Sequence, residues 1–344
     1  MKNFKFKMLS WMLGLCSIAT IVSCSDENRP ETLSKVAPSI ESVSLAENDS
    51  LVEQGRADNM YIIRGKGFLG TRKIFFNETD TYFNATLITD NVILVTINRN
   101  TPYADASDEL RVVTPKGTAT YNFIVAPPAP AIESYAPINP AAGQNITIKG
   151  SFFLDPVVTF GTIPATVVSS TLTEIVVTVP PGADMKHVIV STISGHATSW
   201  EAVGTAIFDD VWYHGWDDEG SGADYITDAT TRQGSVYLES TNGAWSGNQF
   251  RDVNWSTLDI SNYSGIRFSV KGRAGDKIAV IINGNWADSQ SIAVAVTDKW
   301  QDVEIKWSQF PFAVTGLQSL VIKEFTGNAS VYQIDDIGFT LTGE

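Results

Sequence analysis

Two cysteines, Cys16 and Cys24, are all that the chain's 344 residues contain. Both stand near the N-terminus, so no disulfide framework can staple the rest of the chain, and a cysteine nucleophile is missing too. Positive charge is also scarce: 24 Lys and Arg face 38 Asp and Glu, a net charge of −14. Such a chain is a poor partner for nucleic acid or for an anionic membrane surface, and a neutral partner suits it better. Histidine is limited to three. Of these, His187 and His196 have no third ligand or carboxylate at metal spacing, so they read as structural or solvated. The only long apolar run is Met8 to Val22, too short for a comfortable membrane span.

Charged residues make up only 18% of the chain, while Gly, Ser, Thr, Val and Ile are plentiful. This balance favours strand over helix, and the length allows two or three domains. At the N-terminus, Lys2, Lys5 and Lys7 precede the apolar run, so residues 1–23 read as a secretion signal. It ends in Ile21-Val22-Ser23-Cys24, which looks like a lipobox. The resemblance implies that Cys24 becomes the lipidated first residue, with the lipid as the only membrane attachment; an ordinary signal peptide is the alternative. Ser25-Asp26-Glu27-Asn28 resembles the acidic export signal of Bacteroidetes lipoproteins, which implies an outer-membrane location facing the cell exterior. Residues 24–37 are polar, include Pro30, and read as a flexible tether.

The middle of the chain repeats itself. Pro38-Ser39-Ile40-Glu41-Ser42 returns as Pro130-Ala131-Ile132-Glu133-Ser134. Each copy then runs through an alternating strand into a glycine and an aromatic: Tyr61 to Phe68 with Gly65, and Ile146 to Phe153 with Gly150. Short alternating strands with frequent Gly, Pro and Asn predict two β-sandwiches, at 38–127 and 128–205. The Pro-x-Ile opening, the Gly-x-x-Phe and the closing Val177-Thr178-Val179-Pro180 resemble immunoglobulin-like IPT/TIG domains. Pro127-Pro128 makes a stiff joint between the copies. Tyr103 and Tyr121 are at most a faint hint of binding, and both domains read as spacers.

Seven of the nine tryptophans fall between Trp212 and Trp307. Ile266, Phe268 and Val270 predict one strand face and Arg267, Ser269 and Lys271 the other. Further alternating runs at 278–282, 292–296 and 303–307 predict a jelly-roll-like sandwich over 206–344. Leu258-Asp259-Ile260-Ser261-x-Tyr263-x-Gly265-Ile266-x-Phe268-x-Val270, Lys299-Trp300-Gln301-Asp302-Val303 and Ile334-Asp335-Asp336-Ile337 resemble galactose-binding-like carbohydrate-binding modules. The whole architecture looks like a surface glycan-binding lipoprotein of a Bacteroidetes polysaccharide utilisation locus. All-β structure throughout, a polysaccharide ligand and a neighbouring outer-membrane glycan transporter are what that resemblance implies.

Trp307 is in phase with Val303 and Ile305 and reads as core, and Trp300 reads as structural. Trp212, Trp216, Trp245, Trp255 and Trp286 lie in or beside polar loops, where flat indoles suit the apolar faces of pyranose rings. Arg251, Asn248, Gln249, Asn283, Asn285 and Gln290 are the candidate hydrogen-bonding partners for sugar hydroxyls. The acidic group Asp209, Asp210, Asp217, Asp218 and Glu219 admits a structural Ca²⁺ site, with Asp209, Asp210 and Asp336 as candidate ligands. No cofactor is otherwise required. A glycosidase needs two carboxylates facing across a cleft; the Glu-x-Asp-x-x-Glu spacing typical of jelly-roll glucanases is missing, and Asp217 to Gly220 reads as a loop. No Gly-rich phosphate loop or serine nucleophile elbow occurs either. The expectation is therefore a non-catalytic binder of a neutral β-glucan or hemicellulose. A structural or protein-binding lipoprotein, such as an adhesin or transporter accessory, is the alternative, and a polysaccharide hydrolase a more distant one.

Overall fold

A computed structural model describes residues 33–220 and 222–343, which form three hydrophobic cores joined in series. The leader, Cys24 and most of the expected tether lie outside the described residues. The tether's last residues do not: Ser34 is buried, and its N–H donates to the Leu69 carbonyl at 3.2 Å.

The first core lies between a three-stranded sheet (Ser39–Leu45, Met60–Lys66, Val92–Thr96) and a four-stranded one (Thr79–Asp80, Lys73–Phe76, Glu109–Thr114, Gly117–Asn122). Alternation decides what goes inside: Tyr61, Ile63, Ile74, Phe76, Ile93, Val95, Leu110 and Val112 are all buried. The second core repeats the plan with Ala131–Ala136, Asn145–Ser151, Glu174–Thr178 and Thr166–Ser170 against Ile163–Pro164, Val157–Phe160, His187–Thr192 and Gly195–Ala202. In each, the first strand is bulged, between Ile40 and Ser42 and between Ile132 and Ser134. The repeated glycine is explained by the bulge. A Cβ on Gly65 or Gly150 would lie 1.9 Å or 2.0 Å from the carbonyl oxygen of Ser39 or Ala131, with the Phe68 or Phe153 ring closing the other side. Only glycine lets the backbones approach this closely.

The third core is the largest. One of its sheets carries Asp224–Ile226, Tyr237–Asn242, Ser330–Leu341, Tyr263–Lys271 and Gln301–Lys306, with Ala206–Asp209 joined to the far half of Ser330–Leu341 and Val211–Trp212 joined in turn to Ala206–Asp209. The other has the order Trp216–Asp217, Gly247–Asp252, Ser319–Glu324, Lys277–Ile282, Ile292–Ala295. Ile266, Phe268 and Val270 point into this core, as the alternation predicts. Arg267, on the opposite face, is nevertheless fully buried, because the middle domain covers it. Its guanidinium pairs with Asp336 at 2.9 Å, donates to Thr205 Oγ1 and the Phe339 carbonyl, and lies 5.8 Å from the Trp200 ring.

Further bonds close the same junction. The Ile138 N–H donates to Asp209 Oδ2 at 2.6 Å, Asn139 exchanges two bonds with the backbone of Ala206, and Arg232 Nη1 reaches the Glu133 carbonyl at 2.7 Å. The joint between the first two domains is tied by Arg56 to the Ser194 carbonyl and by Ser194 Oγ to the Pro127 carbonyl. Each domain is therefore hydrogen-bonded to the next.

Candidate functional site

Strand alternation sorts the five-stranded sheet of the third unit into two faces. Phe250, Leu320, Ile322, Ile278, Val280 and Ile282 point into the core. Gln249, Arg251, Val321, Lys323, Ala279 and Ile281 therefore lie on the opposite face, in matched register across three strands; Val321, Ala279 and Ile281 are buried there, and Gln249, Arg251 and Lys323 are its part-exposed members. Three exposed tryptophans surround that face: Trp245 before the Gly247–Asp252 strand, Trp255 after it, and Trp286 after Lys277–Ile282. They are 53%, 49% and 53% exposed, unusually open for indoles. The strand between Trp245 and Trp255 runs for six residues, or roughly 17 Å at about 3.4 Å per step.

Two of these indoles are braced. Trp245 has its backbone N–H on Glu324 Oε2 at 3.0 Å and its ring edge-on to Phe325 at 5.8 Å. Glu324 is itself buried, which pushes its carboxyl up. Donors from Thr326, Trp245 and Gly327 outweigh that effect and hold it below the usual range. Trp255 has its backbone N–H on the Asp252 carbonyl and its carbonyl bound by Gln318 Nε2 at 2.7 Å. Asp252 Oδ1 fixes the turn through the N–H groups of Asn254 and Ser256. Trp245 and Trp255 both have left-handed backbones, with φ of 62° and 58°. For a bulky L-residue this conformation costs about 1–2 kcal/mol.

Two cations share the face, and each is neutralised. The Arg251 guanidinium stacks 4.1 Å from the Trp255 ring centroid and forms a two-pronged ion pair with Glu219. That bond to Arg251 holds the Glu219 carboxyl below its ordinary range. Lys323 lies 5.6 Å over Trp245 and 3.6 Å from Asp288, which shows that the connection 283–291 folds back over the sheet. Gln249 is half-buried on this face. Asn285 and Gln290 stand in the same connection, with Asn285 Nδ2 donating to the Ile282 carbonyl.

The remaining candidates are placed elsewhere by the structure. Trp216 is only 3% exposed and belongs to the core. Trp212 packs against Phe208 and Phe250, with its indole N–H on the Tyr225 hydroxyl at 2.7 Å. Neither offers an open ring, because their short strands flank the core rather than a loop tip. Asn248 is buried by the same alternation that exposes Gln249, and it accepts from Asn242. Asn283 is a bracket rather than a sugar contact, joining the Gly316 carbonyl to the Gln318 N–H. Sequence reasoning missed Lys323, Phe325 and Glu324; the period-two pattern of Ser319–Glu324 could have put Lys323 on the outer face.

The three expected calcium ligands each have partners within the chain. Among the described residues no three His, Cys, Asp or Glu side chains converge to hold a metal. Asp336 is paired with Arg267, Asp210 accepts from Ser235 and Val236, and Asp209 accepts from Ile138. These bonds tie the carboxylates into the fold and the domain joint.

The IPT/TIG domain family model matches residues 130–205. An IPT/TIG domain-containing protein of Bacteroides ovatus is 26% identical over 152 residues, which span 42% of this chain and 31% of that protein. The chain thus matches about a third of that relative's length. Among solved structures, surface glycan-binding protein PbSGBP-B from Prevotella bryantii superposes with a TM-score of 0.51 at 17% identity, covering 90% of this chain and 100% of that one. SGBP-B from a complex xyloglucan utilization locus in Bacteroides uniformis covers 89% of this chain and 99% of its own at 15% identity, with a TM-score of 0.36. The first of these superpositions shows a shared fold.

Proposed function

We propose that this protein is a non-catalytic, cell-surface glycan-binding protein that holds a neutral polysaccharide on the outer face of its C-terminal sheet. The observation that carries the reading is the set of three half-exposed tryptophans around one sheet face, two of them held in costly backbone conformations. Strain of this kind persists where the surroundings enforce it, and it clusters at binding sites. Indole faces would stack on the C–H faces of pyranose rings, while Gln249, Arg251 and Gln290 would meet the hydroxyls. Because Glu219 and Asp288 neutralise Arg251 and Lys323, the described residues of this face present no unpaired cation to select an acidic chain. The same pairing commits these two carboxylates to cations, which argues against their use as a hydrolytic pair.

The fold shared with a protein named for surface glycan binding supports this reading. On it, the two preceding sandwiches act as spacers, Cys24 carries the lipid anchor in the outer membrane, and captured glycan passes to a neighbouring transporter. Individual contacts are weak, and many copies on one surface would raise retention. The test is native affinity electrophoresis through gels containing β-glucan, xyloglucan or mannan. Selective retardation that disappears when Trp245, Trp255 and Trp286 are changed together to Ala supports the proposal. Migration unaffected by every neutral glycan would refute it.

A further inference from the structure

The opposite sheet of the same unit carries a cleft of about 490 Å³ that Trp245, Trp255 and Trp286 do not line. Its walls are built by alternation on the outer face of Tyr237–Asn242, Ser330–Leu341 and Tyr263–Lys271. Thr241, Val331, Gln333 and Lys271 line it, with Gly272 and Arg273 where the last strand runs out. Val331 is 45% exposed and gives an apolar patch. Gly272 contributes no side chain. The cleft thus has a small apolar surface beside polar groups, a composition common to small-molecule sites.

Its charge is the opposite of the chain's. The lining holds two cations and no carboxylate, although the protein carries −14 overall. Lys271 has no carboxylate within ion-pair distance among the described residues; its ammonium lies 5.9 Å from the Trp300 ring centroid. The Arg273 side chain is 64% exposed and, among the described residues, pairs with Asp276 through Nε and Nη2 on a single oxygen, which leaves Nη1 outside that pair. Three carboxylates stand around the cleft: Glu239 accepts from Gln333 Nε2 at 2.8 Å, Asp276 accepts from Ser330 and Arg273, and Asp228 is near enough for Lys271 to help lower its carboxyl. Arg273 is thus ion-paired, as are Arg251 and Lys323 on the tryptophan face, and Lys271 is the cation of the cleft left without an ion-pair partner among the described residues.

We infer that this cleft is a second carbohydrate subsite, for a sugar residue bearing a carboxylate, a uronosyl unit. The carboxylate meets Lys271 and the Nη1 edge of Arg273, the ring lies against Val331 and Gly272, and Thr241 meets a ring hydroxyl. Trp300, 5.9 Å from the Lys271 ammonium, lines a neighbouring cleft with Glu133 and Lys149 of the middle domain. The inference does not depend on the tryptophan face.

The experiment is calorimetric titration of the full chain, and of its Trp245→Ala/Trp255→Ala/Trp286→Ala variant, with a glucuronic-acid-substituted xylo-oligosaccharide and its unsubstituted counterpart. The acidic ligand should bind the triple variant, and the neutral one should not. Lys271→Gln should weaken acidic binding at least about tenfold, as expected for loss of a charged hydrogen bond, while Lys271→Arg should largely preserve it. Rising salt should weaken it too. Absence of acidic binding in the triple variant would overturn the proposal, as would indifference to Lys271→Gln. Competition by inorganic sulfate as effective as that by glucuronate would mark a generic anion site and overturn the sugar assignment.

Discussion

At the residue scale, the indoles that the sequence groups together separate by burial. Changing Trp245, Trp255 or Trp286 to Ala removes an exposed ring, so stability should change by less than about 1 kcal/mol, while glycan affinity should fall by about tenfold for each true contact. Trp216→Ala should do the reverse and destabilise by about 3–5 kcal/mol, because it opens a cavity in the core. Chemical denaturation alongside affinity electrophoresis separates the two classes. Loop composition made all of these rings look alike. What distinguishes Trp216 is its pairing opposite Asp252 at the edge of the sheet, a long-range register that no local pattern encodes. Asn248 and Gln249 were separable in principle, since alternation around buried Phe250 puts Asn248 inside.

At the element scale, the repeated glycine of the first two sandwiches was legible as a motif, and its cause is the bulge in the opening strand. Gly150→Ala must move the Ala131 carbonyl or the Phe153 ring. The expected loss is about 1–3 kcal/mol, the usual cost of overpacking, read as a lower denaturation midpoint; an unchanged midpoint would contradict the steric account. The loop braces also predict a pH response. Glu219 and Glu324 have carboxyls held below the ordinary range, so the order they confer is present above the usual glutamate pKa and lost as pH falls through the lowered values. Glycan retention should therefore stay flat from neutral pH to about pH 5 and decline only below the normal glutamate range near 4.3. A decline beginning at pH 6 would point to other groups.

At the scale of the whole molecule, the all-β plan could be read from period-two patterns and turn residues, but the burial of Arg267 could not. Alternation assigns it to an outer face, and only the packing of the middle domain turns that face inward. Arg267→Ala would leave Asp336 buried without its partner and should cost about 3–5 kcal/mol. The junction should also respond to pH. Burial pushes both Asp209 and Asp335 up to about 7, against hydrogen bonds from Ile138 and Gln233 that pull the other way. The folded chain therefore holds protons that the unfolded chain has released between roughly pH 4 and 7. This contribution is full below the unfolded value near 3.9 and is lost as pH rises through about 7. Thermal stability should be higher at about pH 5.5 than at about pH 8, and Asp335→Asn should flatten the difference.

The central claim, that the tryptophan-lined sheet face holds a neutral glycan, is tested most directly by comparing the protein with its Trp245→Ala/Trp255→Ala/Trp286→Ala variant in gels containing one neutral polysaccharide. Retardation of the first and free migration of the second, with equal thermal midpoints, is the predicted result. Equal retardation of both would contradict the account.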